Sequence, residues 1–269
     1  MPAEYIAGLR QAGVPYFPTP DRAFRALRHL SRRAERDFAT SGADPIRLDL
    51  PSGVVPEYWA KELLAPAGIP FPKSALATSA GQARSIAADL GYPVVLKAQS
   101  AQLSHKSDAG GVIVGIANDD ALAAAWDRLF ANVAAYDAGI SLDGALVEAM
   151  GERGTELIVG ARNDPDWGPV VLVGFGGVTA ELLHDIRLLP CDLTAQAIAS
   201  ELRALKQGAL LDGYRGSPAL DVDAAAAVIQ ILGRILLGTP SIREVDLNPL
   251  IVYPKGKGVV ALDALILAD

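Results

Sequence analysis

Gly91-Tyr92-Pro93-Val94-Val95-Leu96-Lys97-Ala98 is an apolar strand that ends on a lysine. Just after it, Ser104-His105-Lys106-Ser107-Asp108-Ala109-Gly110-Gly111-Val112 is a polar turn carrying a histidine, which passes through two glycines into a second apolar run. An ammonium buried without a partner is expensive, so Lys97 calls for a negative neighbour. A lysine at a strand end beside a glycine loop is also a way to hold a polyphosphate. The loop supplies backbone N–H donors and the lysine supplies charge.

With 269 residues the chain accommodates one large domain or two small ones. Apolar residues make up 51%, enough for a sizeable core and too many for wholesale disorder. A net charge of −7 weighs against a nucleic-acid binder that relies on bulk attraction to phosphate. The single cysteine, Cys191, excludes an internal disulfide, and no Cys-x-x-Cys or Cys/His cluster points to structural zinc. The N-terminus lacks the charged-then-apolar pattern of a signal peptide, and no apolar run is long enough to span a bilayer. The expected setting is reducing and cytoplasmic, away from membranes.

Residues 1–18 are short and punctuated by proline. Thr19-Pro20-Asp21 starts a helix: a capping hydroxyl, a proline at the first position, then an acid. The helix places Phe24, Leu27, Leu30 and Ala34 on one face and spreads Arg22, Arg25, Arg28, Arg32, Arg33 and Arg36 over the rest. Its ordinary reading is a solvated face; the sharper one is a docking surface for a partner or an anion. Residues 40–56 hold three prolines and no helical period, so a linker is expected there. The implied division is 1–55, 56–149 and 150–269.

Further on, the pattern predicts a helix over 57–65 stopped by Pro66 and Gly68, and another capped by Ser79 and closed at Gly91. Strand 112–116 and a helix from Asn118 to about Tyr136 follow the opening segment. Strands are expected over 145–150 and 156–160, and a fully buried one over 169–175, which leads into Gly176-Gly177. Helices over 194–207 and 223–237 precede a hairpin of strands 242–253 and 259–267, joined by Pro254-Lys255-Gly256-Lys257-Gly258.

That hairpin carries the second cluster of chemistry. Glu244, Asp246 and Asn248 stand at i, i+2 and i+4, so they share one face, with neighbouring Cα atoms roughly 6.6 Å apart. Val245 and Leu247 occupy the other face, and Asp263 sits on the returning strand among apolar residues. If Tyr253 pairs with Gly258, position 248 faces position 263, and a slip of one residue reverses the face of Asp263. Carboxylate and carboxamide oxygens on neighbouring strands suit a hard cation such as magnesium, which draws its other ligands from water and phosphates. An exposed polar face is the plain alternative, and Asp263, between Leu262 and Ala264, is the residue it explains worst.

With both clusters identified, the chain resembles the ATP-grasp subunit of the nucleoside-diphosphate-forming acyl-CoA synthetases, relatives of succinyl-CoA synthetase. The matching pieces are the two opening segments, Val147-Glu148-Ala149-Met150, Gly174-Phe175-Gly176-Gly177, Leu211-Asp212-Gly213-Tyr214-Arg215-Gly216 and Glu244-Val245-Asp246-Leu247-Asn248-Pro249-Leu250-Ile251-Val252. They cover about residues 57–269. Many ATP-grasp ligases share the piece ending at Lys97, whereas the His-Lys-Ser-Asp loop together with the Glu-x-Asp-x-Asn-Pro-Leu strand is much more specific. Residues 1–38, notably Ala12-Gly13-Val14-Pro15 and Ala23-Phe24-Arg25-Ala26-Leu27, look like the tail of the CoA-ligase domain that precedes ATP-grasp in fused members.

The resemblance implies an α/β chain of α+β type with the ATP-grasp fold, two lobes with mixed or antiparallel sheets closing on ATP/ADP and Mg2+. Lys97 and the Gly110-Gly111 loop would hold phosphates. Glu148-Ala149-Met150 would be the hinge and give adenine its backbone contacts, with Glu156 near the ribose. Asn248 and Asp263 would be the metal ligands and Glu244 a close supporter. His105 would be phosphorylated transiently, relaying phosphate to a second histidine on a CoA-binding partner subunit in a hetero-oligomer. A neutral imidazole is able to attack phosphorus, with Asp108 near enough in sequence to orient its other nitrogen. His29 and His184 are not read as nucleophiles, and Cys191 is read as inert. After Gly177 the sequence departs from the family's usual spacing, leaving Glu181 and Arg187 as loose candidates for facing the phosphates.

The implied reaction is acid, CoA and ATP exchanging with acyl-CoA, ADP and phosphate. No strand-linked Gly-x-Gly-x-x-Gly is found, so this chain alone is expected to bind nucleotide without completing acyl-CoA synthesis. Two rivals remain. An ATP-grasp carboxylate–amine ligase needs no histidine. A nucleotide-sensing module would be favoured by an occluded Lys97.

Overall fold

The computed structural model describes residues 2–35, 40–177 and 185–269. The chain divides into two compact units, Met1–Ala39 and Thr40–Asp269. The first holds α1 (Ala3–Gln11) and α2 (Pro20–Glu35). Thr19 Oγ1 accepts the Arg22 N–H at 3.5 Å, as the capping signal predicts. Within this unit Phe24, Leu27 and Leu30 are 71%, 57% and 63% exposed, so the apolar face of α2 has no cover of its own.

The second unit is built on two sheets whose strand pairs are all antiparallel. The smaller contains β2 (Ser74–Ala77), β3 (Val94–Gln99), β4 (Val112–Ile116) and β5 (Gly144–Ala149) in the order β2-β5-β3-β4. Helices α4 (Ala80–Leu90) and α5 (Asp119–Tyr136) share its core through Ala83, Ala87, Leu122, Trp126 and Leu129. Ser79 Oγ accepts from Gln82 N at 3.3 Å and Asn118 Oδ1 from Ala121 N at 2.9 Å, which fixes where both helices start.

The larger sheet contains β1 (Gly53–Val55), β6 (Thr155–Asp164), β7 (Gly168–Phe175), β8 (Ile186–Pro190), β9 (Ile242–Val252), β10 (Val259–Ala261) and β11 (Leu265–Ala268). Its order is β1-β11-β9-β6-β7-β8, with β10 also paired to β9. Helix α7 (Val222–Gly238) packs on β6, β7 and β9, and against α6 (Ala195–Arg203). Helix α3 (Glu57–Leu64) contacts both β2 and β11.

Residues 40–56 correct the linker expectation. Their prolines remove some N–H donors, but the remaining groups bind the second unit. Ile46 N donates to Arg234 O at 2.9 Å, Leu48 N to Thr239 Oγ1 at 2.9 Å, and β1 pairs with β11. The strap passes so close to the end of α7 that a Cβ at Gly238 would lie 2.2 Å from Ile46 O.

The hairpin register agrees with its prediction. Val252 pairs with Val259 and Asp246 with Leu265, and Tyr253 N donates to Gly258 O at 3.1 Å. The same register on both sides sets Asn248 opposite Asp263. The returning strand is broken, however. It leaves the ladder after Ala261 and rejoins at Leu265, with Asp263 in the gap.

Candidate active site

Helix α3 buries the face carrying Glu57, Ala60, Lys61 and Leu64. Two charged residues one turn apart are thereby taken out of water, and the strands opposite supply their partners. Strand β3 is buried along its whole length, and its register with β5 sets Val95 opposite Glu148. Lys97, two residues from Val95, therefore lies diagonally from Glu148 on the same face.

Lys97 Nζ lies 2.8 Å from Glu57 Oε1 and 2.8 Å from Glu148 Oε1, and donates to the Leu262 carbonyl at 2.6 Å. Lys61 Nζ is 2.6 Å from Glu57 Oε1, donates to the same carbonyl at 3.0 Å, and pairs with Glu148 Oε2. Lys106 Nζ bridges Glu57 Oε2 at 3.1 Å and Asp263 Oδ1 at 3.0 Å. Three ammoniums thus meet three carboxylates, and the break around Asp263 turns the Leu262 carbonyl inward to two of them. Burial alone would raise the Glu57 carboxyl, but Lys97, Lys106 and Lys61 outweigh it and hold the group well below the usual carboxylate range. Burial would lower the Lys97 ammonium, and Glu57, Glu148 and Asp263 outweigh that and raise it. Glu57 and Lys97 therefore keep their charges at neutral pH in this arrangement.

The histidine loop hangs on this network. Leu103 and Ala109 sink into the core of the smaller sheet, while Ser104, His105, Ser107 and Asp108 remain exposed. The loop and the hairpin enclose a cavity of about 210 Å³ lined by Ser104, His105, Lys106, Asp246, Asn248 and Asp263, among others. Histidine and oxygen donors separated by more than a hundred residues thus share one cleft. The Lys97 ammonium is bound to the carbonyl of Leu262, next to Asp263.

Asp246 is pushed up to about 6, first by burial and then by the negative charges of Asp263 and Glu244, against the pull of His105 and Lys106. A carboxyl raised in the folded state costs stability once it ionises. We therefore expect Asp246→Asn to raise the Tm of the metal-free protein at pH 8, a gain of about 1–2 kcal/mol after solvent screening. The gain should fade as pH drops through 6 and vanish below the ordinary value of 3.8, where both folded and unfolded carboxyls are protonated. Thermal melts across that range check it; an unchanged or lower Tm at pH 8 contradicts it.

The other expected site residues have partners or positions of their own in this conformation. The Gly110 N–H donates to Ser107 O at 3.0 Å and the Gly111 N–H to Lys106 O at 2.8 Å, so neither donor is offered to a phosphate in this conformation. Packing explains the glycines: Gly110 has φ +61°, and a Cβ there would meet the Asn132 side chain at 2.8 Å. The Glu148 side chain is spent on Lys61 and Lys97. The N–H groups of Ala149 and Met150 donate to Lys73 O at 2.9 Å and Pro93 O at 3.4 Å, so they are not free for adenine, although these residues do end the smaller sheet and lead into the larger. Glu156 is exposed beside Gly176 and Gly177, and does not line the cavity. Glu244 is also exposed and outside the cavity; four residues before Asn248, it stands roughly 13 Å along the strand, and Asp246 takes the place nearer the loop.

Arg187 pairs with Glu201. Glu181 and His184 lie outside the described residues, as does the side chain of His29. Cys191 is buried and its thiol is raised to about 12 by burial and by Asp192, which fits an inert residue. Among the described residues no three His, Cys, Asp or Glu form a ready metal cage. The oxygens of Asn248 and Asp263, with Asp246 beside them, still fit magnesium, a hard cation that needs only one or two protein ligands when phosphates supply others. Sequence reasoning missed Glu57, Lys61 and Lys106 as members of one network. The i, i+4 spacing of Glu57 and Lys61 was the available signal, but it reads equally as an exposed helix pair.

Two antiparallel sheets meeting at a buried lysine and an oxygen-lined cleft are the ATP-grasp architecture, and the ATP-grasp domain family model matches residues 49–267. The chain is 56% identical, over its whole length and 38% of the relative's, to a trans-feruloyl-CoA synthase from an unidentified prokaryote. It is 36% identical to the beta subunit of acetate–CoA ligase [ADP-forming] I of Pyrococcus furiosus, over 76% of this chain and 88% of that subunit. An acetyl-coenzyme A synthetase 1 of Ca. Korarchaeum cryptofilum, solved with coenzyme A, Ca-AMPCP and HgCl+, superposes with a TM-score of 0.77 at 35% identity, over 81% of this chain and 94% of that one. The chain belongs to the ATP-grasp family of the ADP-forming CoA ligases and corresponds to their beta subunit. It spans about two fifths of the length of the long relatives that it matches nearly end to end.

Proposed function

We propose that this chain is the ATP-grasp component of an ADP-forming acyl-CoA synthetase, and that His105 carries the phosphoryl group. The observation that carries the reading is the shared cavity of His105, Asn248 and Asp263, bordered by the lysine network. The lobes would be residues 56–149 and 150–269, joined after Ala149. A neutral imidazole nitrogen of His105 attacks the terminal phosphorus of ATP and ADP leaves. Asn248 and Asp263 would hold Mg2+, which would supply positive charge to offset that of the phosphates. Lys97 adds a positive charge once it turns from Glu57 and Glu148. Its departure is tolerable because Lys61 still binds both carboxylates. The phosphohistidine then serves a CoA-binding partner, on a second subunit or on another part of a longer chain, where acid and CoA meet. A cytoplasmic setting goes with this reading; no helix among the described residues is long and apolar enough to cross a membrane.

The burial of Lys97 is the observation that favours the rival nucleotide sensor. The relatives named as CoA ligases weigh the other way. The deciding experiment measures ADP release by the chain together with its CoA-binding partner, over a panel of carboxylic acids that includes acetate and trans-ferulate. Release that requires both CoA and one of the acids is expected. ATP bound but never turned over with the partner present would favour the sensor, and turnover needing an amine in place of CoA would favour the carboxylate–amine ligase.

A further inference from the structure

Lys106 follows His105 directly and has no part in the mechanism above. Its side chain is buried, with its ammonium 3.0 Å from Asp263 Oδ1 and 3.1 Å from Glu57 Oε2. Its carbonyl accepts the Gly111 N–H at 2.8 Å. One residue thus ties the loop through its side chain to the ionic network and through its main chain to the loop's exit. The two carboxylates differ. Glu57 is fully enclosed and shared with Lys61 and Lys97, whereas the Asp263 side chain is 34% exposed and opens on the cavity. Asp263 is therefore the partner that a ligand in the cavity is able to take away.

We infer that Lys106 is a positioning residue that latches the His105 loop through Asp263, and that a divalent cation bound at Asp263 and Asn248 loosens the latch. The inference rests on the reading of Asp263 as a cation ligand. An ammonium and a divalent cation on one carboxylate repel each other at contact distance, so they compete for Asp263. Lys106 then keeps Glu57 alone, a carboxylate that two other lysines already serve. The loop gains freedom at the stage when His105 has to reach a phosphate, and is held while no cation–nucleotide complex is bound.

Hydrogen exchange at Gly110 and Gly111 reads the latch, because their amides donate to the carbonyls of Ser107 and Lys106. The protein is compared in ADP with EDTA and in ADP with Mn2+, and protein-bound Mn2+ is counted separately by its EPR signal. In the wild type, Mn2+ should speed exchange at these amides at least about five-fold and leave β6 and β7 unchanged. Lys106→Met should exchange fast in both conditions, and Lys106→Arg should restore a Mn2+-dependent difference. Asp263→Asn should bind Mn2+ weakly and show no such difference. If Lys106→Met fails to fold, the wild type and Asp263→Asn still decide. Mn2+ bound to the wild type with loop exchange unchanged or slower overturns the latch and leaves the cation reading standing. No protein-bound Mn2+ in the presence of ADP overturns both.

Discussion

Glu57→Ala should lower the free energy of unfolding by about 3–5 kcal/mol, the size expected when one side of a buried charge network is removed. Glu57 touches all three lysines, and its loss leaves them to Glu148 and Asp263 alone. The cost comes from ammonium charge stranded in a dry interior rather than from the bonds themselves. Removing a lysine as well should restore part of the loss, so Glu57→Ala combined with Lys106→Met should be less destabilised than the two single changes summed. The native Glu57 carboxyl lies below its ordinary value of 4.5, so its contribution is present above that pH and is lost as pH falls through the lower native value. The Lys97 ammonium lies above its ordinary 10.5, so its contribution is present below that pH and is lost as pH rises through the native value. Stability should be level between about pH 5 and pH 10 as far as these groups decide it. Urea unfolding measures all of this; a loss below about 1 kcal/mol for Glu57→Ala would mean that the network is solvated.

His105→Ala should have the opposite profile. The side chain is exposed, so stability should stay within about 0.5 kcal/mol of the wild type. CoA-dependent ADP release with the partner should fall by roughly four orders of magnitude or more, because the variant lacks the imidazole that takes the phosphoryl group. Nucleotide affinity should hardly change, since the imidazole is assigned to attack and not to binding. Turnover within about ten-fold of the wild type would remove His105 from the reaction.

The particular residues show what the sequence makes legible. Strong helix starts at Thr19, Ser79 and Asn118 are local signals, and each helix begins where its cap predicts. The hairpin register was legible because strand alternation has a period of two and the Pro254–Gly258 turn is short. That register alone set Asn248 opposite Asp263. The buried network was not legible, because nothing local distinguishes a buried Glu57–Lys61 pair from an exposed one. Burial is decided by β2 and β11 packing on α3, a contact made from far along the chain. Gly110 and Gly111 carry two meanings for a related reason. Glycines mark where backbone geometry or close packing is special, and the same signal serves a phosphate loop and a tight seat beside Asn132. The strap over 40–56 reads as a linker by composition because prolines hide how many of its other N–H groups find partners.

Phosphoryl transfer to the histidine tests the central claim most directly. The chain, with its CoA-binding partner, is incubated with Mg2+ and ATP labelled at the terminal phosphate, quenched in alkali and digested. A label that survives base, is lost in mild acid, maps to the peptide containing His105 and disappears in His105→Ala is the predicted result. Equal labelling of the wild type and His105→Ala, or a label on any other residue, would contradict it.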